Sequence, residues 1–85
     1  IEPSVELQVD ERGGRFLMTI VADDRTGLLY RIARVLARYR INVQTARITT
    51  LGERVEDVFL IDGKALERPR EARQFQTELL EALKP

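Results

Sequence analysis

The fold is decided by one continuous stretch of the chain, which reads RFLMTIVADDRTGLL at residues 15–29. Residues 15–22 are rich in apolar and β-branched side chains and show no clean alternation with polar ones, which is typical of a strand buried on both faces. Asp23 to Gly27 are mostly polar or turn-forming, and Leu28 opens a segment with helical spacing. The stretch therefore predicts a central strand that turns sharply into a helix.

The segments on either side complete a small α+β domain that spans residues 1–85. Residues 5–9 alternate apolar and polar side chains, and residues 10–14 are polar and glycine-rich, which is typical of a hairpin. Downstream, Gly52 marks the turn of a second hairpin, and Pro69 falls in a predicted loop. The predicted elements are a hairpin over 4–22, a helix over 26–40, a hairpin over 41–62 and a helix over 71–84.

Apolar side chains recur at helical spacing in both predicted helices, so each helix is expected to bury one face. The first set is Leu28, Leu29, Ile32, Val35, Leu36 and Tyr39, and the second is Ala72, Phe75, Leu79, Leu80 and Leu83.

The order β-β-α-β-β-α predicts a ferredoxin-like plan, in which a four-stranded antiparallel sheet carries two helices on one face. That plan normally ends with a strand after the second helix, and this chain has none there. We expect the strand of the N-terminal hairpin to replace it. The predicted sheet order is therefore the strands of Val5, Phe16, Val55 and Asn42.

Composition excludes several classes of function. Fourteen Lys and Arg balance fourteen Asp and Glu, so no net charge attracts nucleic acid, and there is neither Cys nor His for the commonest metal or nucleophile chemistry. No apolar run approaches the roughly 18 residues of a membrane span. We expect a cytoplasmic, non-catalytic domain without nucleic-acid or membrane partners. Because it begins at Ile1, we also expect a piece of a longer protein.

The turn from Asp24 to Gly27 is the candidate site, and two interpretations of it remain open. The first N–H groups of a helix have no internal partners and attract anions such as a carboxylate. Alternatively, Asp24 or Thr26 only caps the helix, which local chemistry by itself favours. Glu56 and Asp57 are adjacent on a strand and point to opposite faces, so they predict no catalytic pair of carboxyl groups.

A family resemblance changes this balance. The chain resembles an ACT domain, a regulatory module that commonly binds amino acids, in residues 17–22, 24–29, 32–36, 41–43 and 46–48. Residues 50–61 are similar to the last ACT domain of bacterial PII uridylyltransferases. That resemblance implies a regulatory, glutamine-sensing fragment of an enzyme that modifies and demodifies the PII signal protein.

The resemblance also implies a ligand site and a set of partners. The implied ligand-binding residues are Asp24, Thr26, Gly27, Leu28, Leu29, Asn42 and Val43. Thr26 stands where the family usually has Pro, which implies a looser turn. The implied partners are an amino acid, a neighbouring ACT domain or a second copy in a homodimer, and PII through the parent enzyme. No cofactor is implied for this fragment, whereas Mg is expected in the parent enzyme.

Two other functions remain open from the sequence. The chain is alternatively a structural interaction or dimerisation module without a ligand, which pairs through the edge strand that contains Asn42. It is alternatively an ACT domain of another amino-acid enzyme or of a stringent-response enzyme.

Overall fold

The computed structural model describes residues 2–10 and 12–85, so Ile1 and Glu11, which fall within the predicted domain and its first hairpin, lie outside the described residues. The elements are β1 Ser4–Asp10, β2 Arg15–Asp23, α1 Leu28–Arg38, β3 Asn42–Leu51, β4 Arg54–Asp62, a short 3-10 helix Lys64–Glu67 and α2 Pro69–Leu83.

The four strands form one antiparallel sheet in the order β1-β2-β4-β3. This order confirms the prediction, including the use of the N-terminal hairpin strand in place of a last strand. The β1–β2 register runs from Ser4 opposite Val21 to Asp10 opposite Arg15. The two central strands are β2 and β4, and β3 lies at an edge with a register shift between Val43 and Thr45.

The core lies between one face of the sheet and the two helices. Alternate residues of the central strands are buried, whereas the residues between them face the side that carries no helix. Tyr39 packs edge-on against Phe75 with 5.5 Å between ring centroids. The buried side chains on the helix side are Val5, Met18, Ile20, Ala22, Val55, Asp57, Phe59 and Ile61 from the sheet, and Leu28, Ile32, Val35, Leu36, Phe75, Leu79 and Leu83 from α1 and α2.

Three local features differ from the sequence-based expectations. Leu29 is 53% exposed, because the face set by Leu28 and Ile32 turns Leu29 away from the core. Gly27 has a left-handed φ of 82°, so α1 begins at Leu28 rather than at Thr26. Pro69 opens α2 instead of lying in a loop, because the first turn of a helix tolerates a missing N–H.

Candidate functional site

The turn between β2 and α1 is fixed to the neighbouring hairpin. The Asp24 N–H donates to the Glu53 carbonyl oxygen at 2.7 Å, which ties the turn to the β3–β4 connection. Within the turn, the Leu28 N–H donates to the Arg25 carbonyl oxygen at 3.2 Å. The left-handed conformation of Gly27 allows this reversal without steric strain. The turn is therefore held from both sides.

Two arginines, which we call the arginine pair (Arg25 and Arg31), tie the same region to the end of α2. Arg25 Nη2 donates to the carbonyl oxygens of Leu83 at 3.0 Å and Lys84 at 2.5 Å. Arg31 Nη1 donates to those of Ala82 at 3.3 Å and Lys84 at 3.2 Å. Cations are favourable at the carbonyl end of a helix. The Arg25 guanidinium therefore stabilises the carbonyl end of α2.

Among the described residues, no side chain caps the start of α1. The Leu28 N–H is occupied by Arg25, and the Arg31 N–H donates to the Gly27 carbonyl oxygen at 3.0 Å. The N–H groups of Leu29 and Tyr30 remain without an acceptor in residues 2–10 and 12–85. Neither Asp24 nor Thr26 makes the capping hydrogen bond that the alternative interpretation requires.

A cavity of about 220 Å³ lies beside this helix start. It is smaller than the roughly 300 Å³ or more of pockets that take drug-sized ligands, so it suits a smaller molecule. Its walls come from the turn, from the first residues of α1 and from the adjoining ends of β3 and β4. The lining residues are Asp24, Arg25, Gly27, Leu28, Leu29, Tyr30, Ile48, Thr50, Val55 and Asp57.

Asp57 is the buried charged group of this cavity. The residue is 2% exposed, and its Oδ1 has no hydrogen-bond partner among the described residues. Burial raises the pKa of the Asp57 carboxyl group above its usual range, and the neighbouring charge of Asp24 raises it further. A hydrogen bond with the backbone of Thr49 lowers the pKa without cancelling that rise.

Four of the sequence-predicted residues line this cavity, namely Asp24, Gly27, Leu28 and Leu29. The N–H of Leu28 already donates to the Arg25 carbonyl oxygen. Leu28 therefore contributes its side chain to the cavity wall, and no free N–H group. Thr26 lies in the same turn but is not among the lining residues. The exposure of Leu29, which contradicts its predicted place in the core, puts its side chain at the cavity wall.

Asn42 and Val43 lie at the other end of β3. The cavity-lining residue of β3 nearest to Asn42 is Ile48, so roughly 20 Å of strand separates Asn42 from the cavity at about 3.3 Å per residue. Asn42 Nδ2 donates to Asp62 Oδ1 at 3.1 Å. Hydrogen bonds from Gln44 and then Asn42 lower the pKa of Asp62 below its usual range. One chain therefore does not bring these two residues to the turn.

A larger depression, about 940 Å³, lies at that far end and is lined in part by Asn42 and Asp62. Three of its basic side chains are already paired with acidic ones: Arg15 with Asp10 at 3.4 Å, Arg38 with Glu78, and Arg68 with Glu71 at 2.9 Å. Volume alone would select this depression, whereas unsatisfied polar groups select the smaller cavity at the turn.

Sequence reasoning did not identify Asp57 as a residue of the candidate site. Its neighbours in β4 give the buried alternation Val55, Asp57, Phe59 and Ile61, in which one carboxylate occupies an apolar position. An acidic residue at one of the inward-facing positions of a strand is the signal that could have identified Asp57, because a buried charged group requires a partner. From the sequence we weighed Asp57 only as a catalytic carboxylate.

Within residues 2–10 and 12–85, no three carboxylate side chains come together in a way that could hold a metal ion. Neither helix in those ranges is long and apolar enough to cross a membrane.

Comparison with known families gives one domain-level match. Residues 16–75 match the family model described as ACT domain. The crystal structure of an unknown protein from Galdieria sulphuraria resembles this chain with a TM-score of 0.68 and 21% identity. The match covers 82% of this chain and 39% of that chain, and it shows a shared fold.

Three curated relatives carry the name bifunctional uridylyltransferase/uridylyl-removing enzyme. The chain is 60% identical over 84 residues to the protein of Ralstonia nicotianae, 56% over 84 residues to that of Cupriavidus metallidurans, and 55% over 83 residues to that of Burkholderia vietnamiensis. Each match covers 98% of this chain and 10% of the relative, in the C-terminal region of these enzymes. The chain thus spans about a tenth of the length of these relatives.

Proposed function

Because the chain belongs to the ACT domain family, we propose that this regulatory domain binds a free amino acid, glutamine in particular, in the cavity beside the β2–α1 turn. The observation that carries the proposal is the start of α1, where no described residue caps the helix or accepts from the N–H groups of Leu29 and Tyr30. A carboxylate satisfies such donors and is favoured by the helix dipole.

The energetics of this seat suit a metabolite that is present at high concentration. The helix dipole contributes about 0.3 to 2 kcal/mol, and each hydrogen bond to a charged partner contributes about 1.5 to 3 kcal/mol. Two such bonds and the dipole give roughly 3 to 8 kcal/mol, which corresponds to a dissociation constant from a few millimolar to about one micromolar. Binding at this level follows changes in an abundant amino acid.

The relatives suggest which activity the domain regulates. Their name describes both the addition and the removal of uridylyl groups. We propose that this chain controls such a cytoplasmic enzyme, whose Mg-dependent catalytic domains act on the PII signal protein. Regulation then requires that glutamine bind one arrangement of the enzyme more tightly than the other.

Asn42 and Val43 belong to this proposal through a second ACT domain. The edge strand β3 has no strand partner on its outer side within the described residues, and it is exposed along most of its length. If β3 pairs antiparallel with β3 of a neighbouring domain or second copy, centred near Ala46, Asn42 lies opposite Thr50 of the partner strand. That pairing would bring the predicted second wall to the cavity.

Calorimetric titration of the chain tests the proposed function. The ligands are glutamine, glutamate, alanine and glutamine methyl ester, which keeps the ammonium and side-chain amide but lacks the carboxylate. We expect glutamine to bind, and the ester to bind roughly tenfold or more weakly because the free amides lose their acceptor. Absence of binding by all four ligands, or equal binding of glutamine and its ester, would contradict the proposal.

A second function, an interaction module without a ligand, is favoured by one observation. The β3 edge exposes Val43, Ile48 and Leu51 to between 44% and 49%. Sedimentation velocity with and without glutamine separates the two functions. Pairing that responds to glutamine supports the sensor, and stable pairing with no glutamine binding supports the interaction module.

A further inference from the structure

Asp57 occupies a position that the fold alone does not explain. It takes the place of an apolar side chain in β4, directly opposite Ile48 of β3, and it lines the cavity at the start of α1. The residue is 2% exposed, and Oδ1 receives no donor from the described chain. An unpartnered buried carboxyl oxygen costs free energy of folding, so such a group calls for a partner outside the fold.

No cation of the described chain supplies that partner. Arg25 lines the same cavity, but its guanidinium donates to the carbonyl end of α2. Arg54 begins β4, yet its Nη2 lies 2.8 Å from Glu56 Oε2 on the other side of the strand. Asp24, which also lines the cavity, adds a second carboxylate to it. The acidic side of the cavity is therefore available to a positive group.

The start of α1 requires hydrogen-bond acceptors, whereas Asp57 requires a donor. The N–H groups of Leu29 and Tyr30 lack acceptors among the described residues, and both residues line the same cavity as Asp57. One small space thus has free donors on one wall and a free acceptor on another. A ligand that carries a carboxylate and an ammonium group close together satisfies both walls at once.

We propose that Asp57 binds the α-ammonium group of the amino acid ligand while the free amides at the start of α1 bind its α-carboxylate. This inference rests on the proposed function and adds the residue that distinguishes a complete amino acid from a simple carboxylic acid. Asp57 is then a specificity-determining residue. When an analogue without the ammonium group binds, the carboxylate of Asp57 stays buried and unpaired.

The test compares glutamine with its deaminated analogue, 4-carbamoylbutanoate, by calorimetry. Both compounds have the carboxylate and the side-chain amide, and only glutamine has the ammonium group. We expect the wild-type chain to bind glutamine roughly ten- to hundredfold more tightly than the analogue, as the loss of one charge-assisted hydrogen bond requires. Equal binding of the two compounds would overturn the inference without any variant.

Asp57→Asn is the matching variant, and Glu56→Gln is its control. Glu56→Gln removes the same charge from the adjacent residue, which lies on the opposite face of the sheet. Asp57→Asn should weaken glutamine binding roughly tenfold or more and remove the preference over 4-carbamoylbutanoate, whereas Glu56→Gln should change neither. Thermal unfolding of both variants verifies that they remain folded.

A spectroscopic readout separates ligand contact from a structural role. The carbon-13 resonance of the Asp57 carboxyl group reports its protonation state, and bound ammonium should lower the pKa that burial and Asp24 raise. Glutamine should therefore shift this titration to lower pH, and 4-carbamoylbutanoate should not. If the wild-type chain binds glutamine while Asp57→Asn binds it equally well, this inference fails and the proposed function stands. If the wild-type chain binds no amino acid, both fail.

Discussion

At one end of the sheet, the carboxylate of Asp62 accepts hydrogen bonds from the side chains of Asn42 and Gln44. At the other end, Asp57 has an oxygen without a donor, and the first amides of α1 have no acceptor in the described chain. Both ends carry concave surfaces, and the larger one lies at the satisfied end. The difference teaches that unmet hydrogen-bonding capacity, rather than volume, distinguishes the candidate site.

The largest expected effect compares a glycine from each end. A Cβ added to Gly63, whose φ is 157°, would lie 3.0 Å from Ile41 Cδ1 and 3.2 Å from the Arg40 carbonyl oxygen. A Cβ at Gly27, whose φ is 82°, would meet no heavy atom within 4 Å. We expect Gly63→Ala to lower the free energy of unfolding by about 2–3 kcal/mol, and Gly27→Ala by about 1 kcal/mol. Urea denaturation measures both, and equal losses would contradict the comparison.

A smaller effect is expected from removing the unpaired carboxylate. Asp57→Val places an apolar side chain on the buried face of β4. It should raise the free energy of unfolding by about 1–2 kcal/mol at neutral pH. Because the folded-state pKa of Asp57 is raised, its protonated form favours folding below the unfolded-state pKa, and that contribution is lost as the pH rises through the folded-state pKa. The gain from Asp57→Val should therefore grow between acid and neutral pH, as urea denaturation across that range will show.

Asp62→Asn is the control from the satisfied end, with the opposite sign. Hydrogen bonds lower the folded-state pKa of Asp62, so its contribution to stability is present above the unfolded-state pKa and is lost as the pH falls through the folded-state pKa. The variant should lose stability at neutral pH and approach the wild type in acid. Parallel pH profiles for the Asp57 and Asp62 variants would remove the distinction between the two ends.

The smallest effect is expected from Thr26→Pro. The Thr26 N–H donates no backbone hydrogen bond to the described chain, so proline removes no such bond, and it restricts the unfolded chain. We expect a gain of about 0.5 kcal/mol in the free energy of unfolding and tighter binding of glutamine through a more ordered turn. Thermal unfolding and calorimetry measure the two changes, and a loss of both would indicate that the native turn excludes the φ of proline.

The fold was predictable because each segment carried a consistent pattern. The central position of β2 followed from its apolar character on both faces, and the place of β1 followed from its tight hairpin to β2. Leu29 was placed in the core because helical spacing alone does not separate the centre of an apolar face from its edge. The packing of Leu28 and Ile32 against the sheet decides how α1 is rotated about its axis, and so which side chains face the core.

The lining of the candidate cavity was predictable at the turn and not across the sheet. The residues from Asp24 to Leu29 are contiguous, so local chemistry brings them together. Asp57 reaches the same cavity through strand pairing between β2 and β4, which places it opposite Ile20. Asn42 was assigned to the site by family resemblance, and its distance from the turn follows from the direction of β3, which a residue-by-residue transfer does not include.

The arginine pair gives the turn a mechanical link to a helix that takes no part in lining the cavity. Its hydrogen bonds end on the carbonyl groups of Ala82, Leu83 and Lys84, so the turn and the end of α2 separate only when these bonds break. Order imposed on the turn is shared with the last turn of α2, whose backbone carbonyls would otherwise fray. A ligand that ordered the turn, as proposed, would through these hydrogen bonds also order the end of α2.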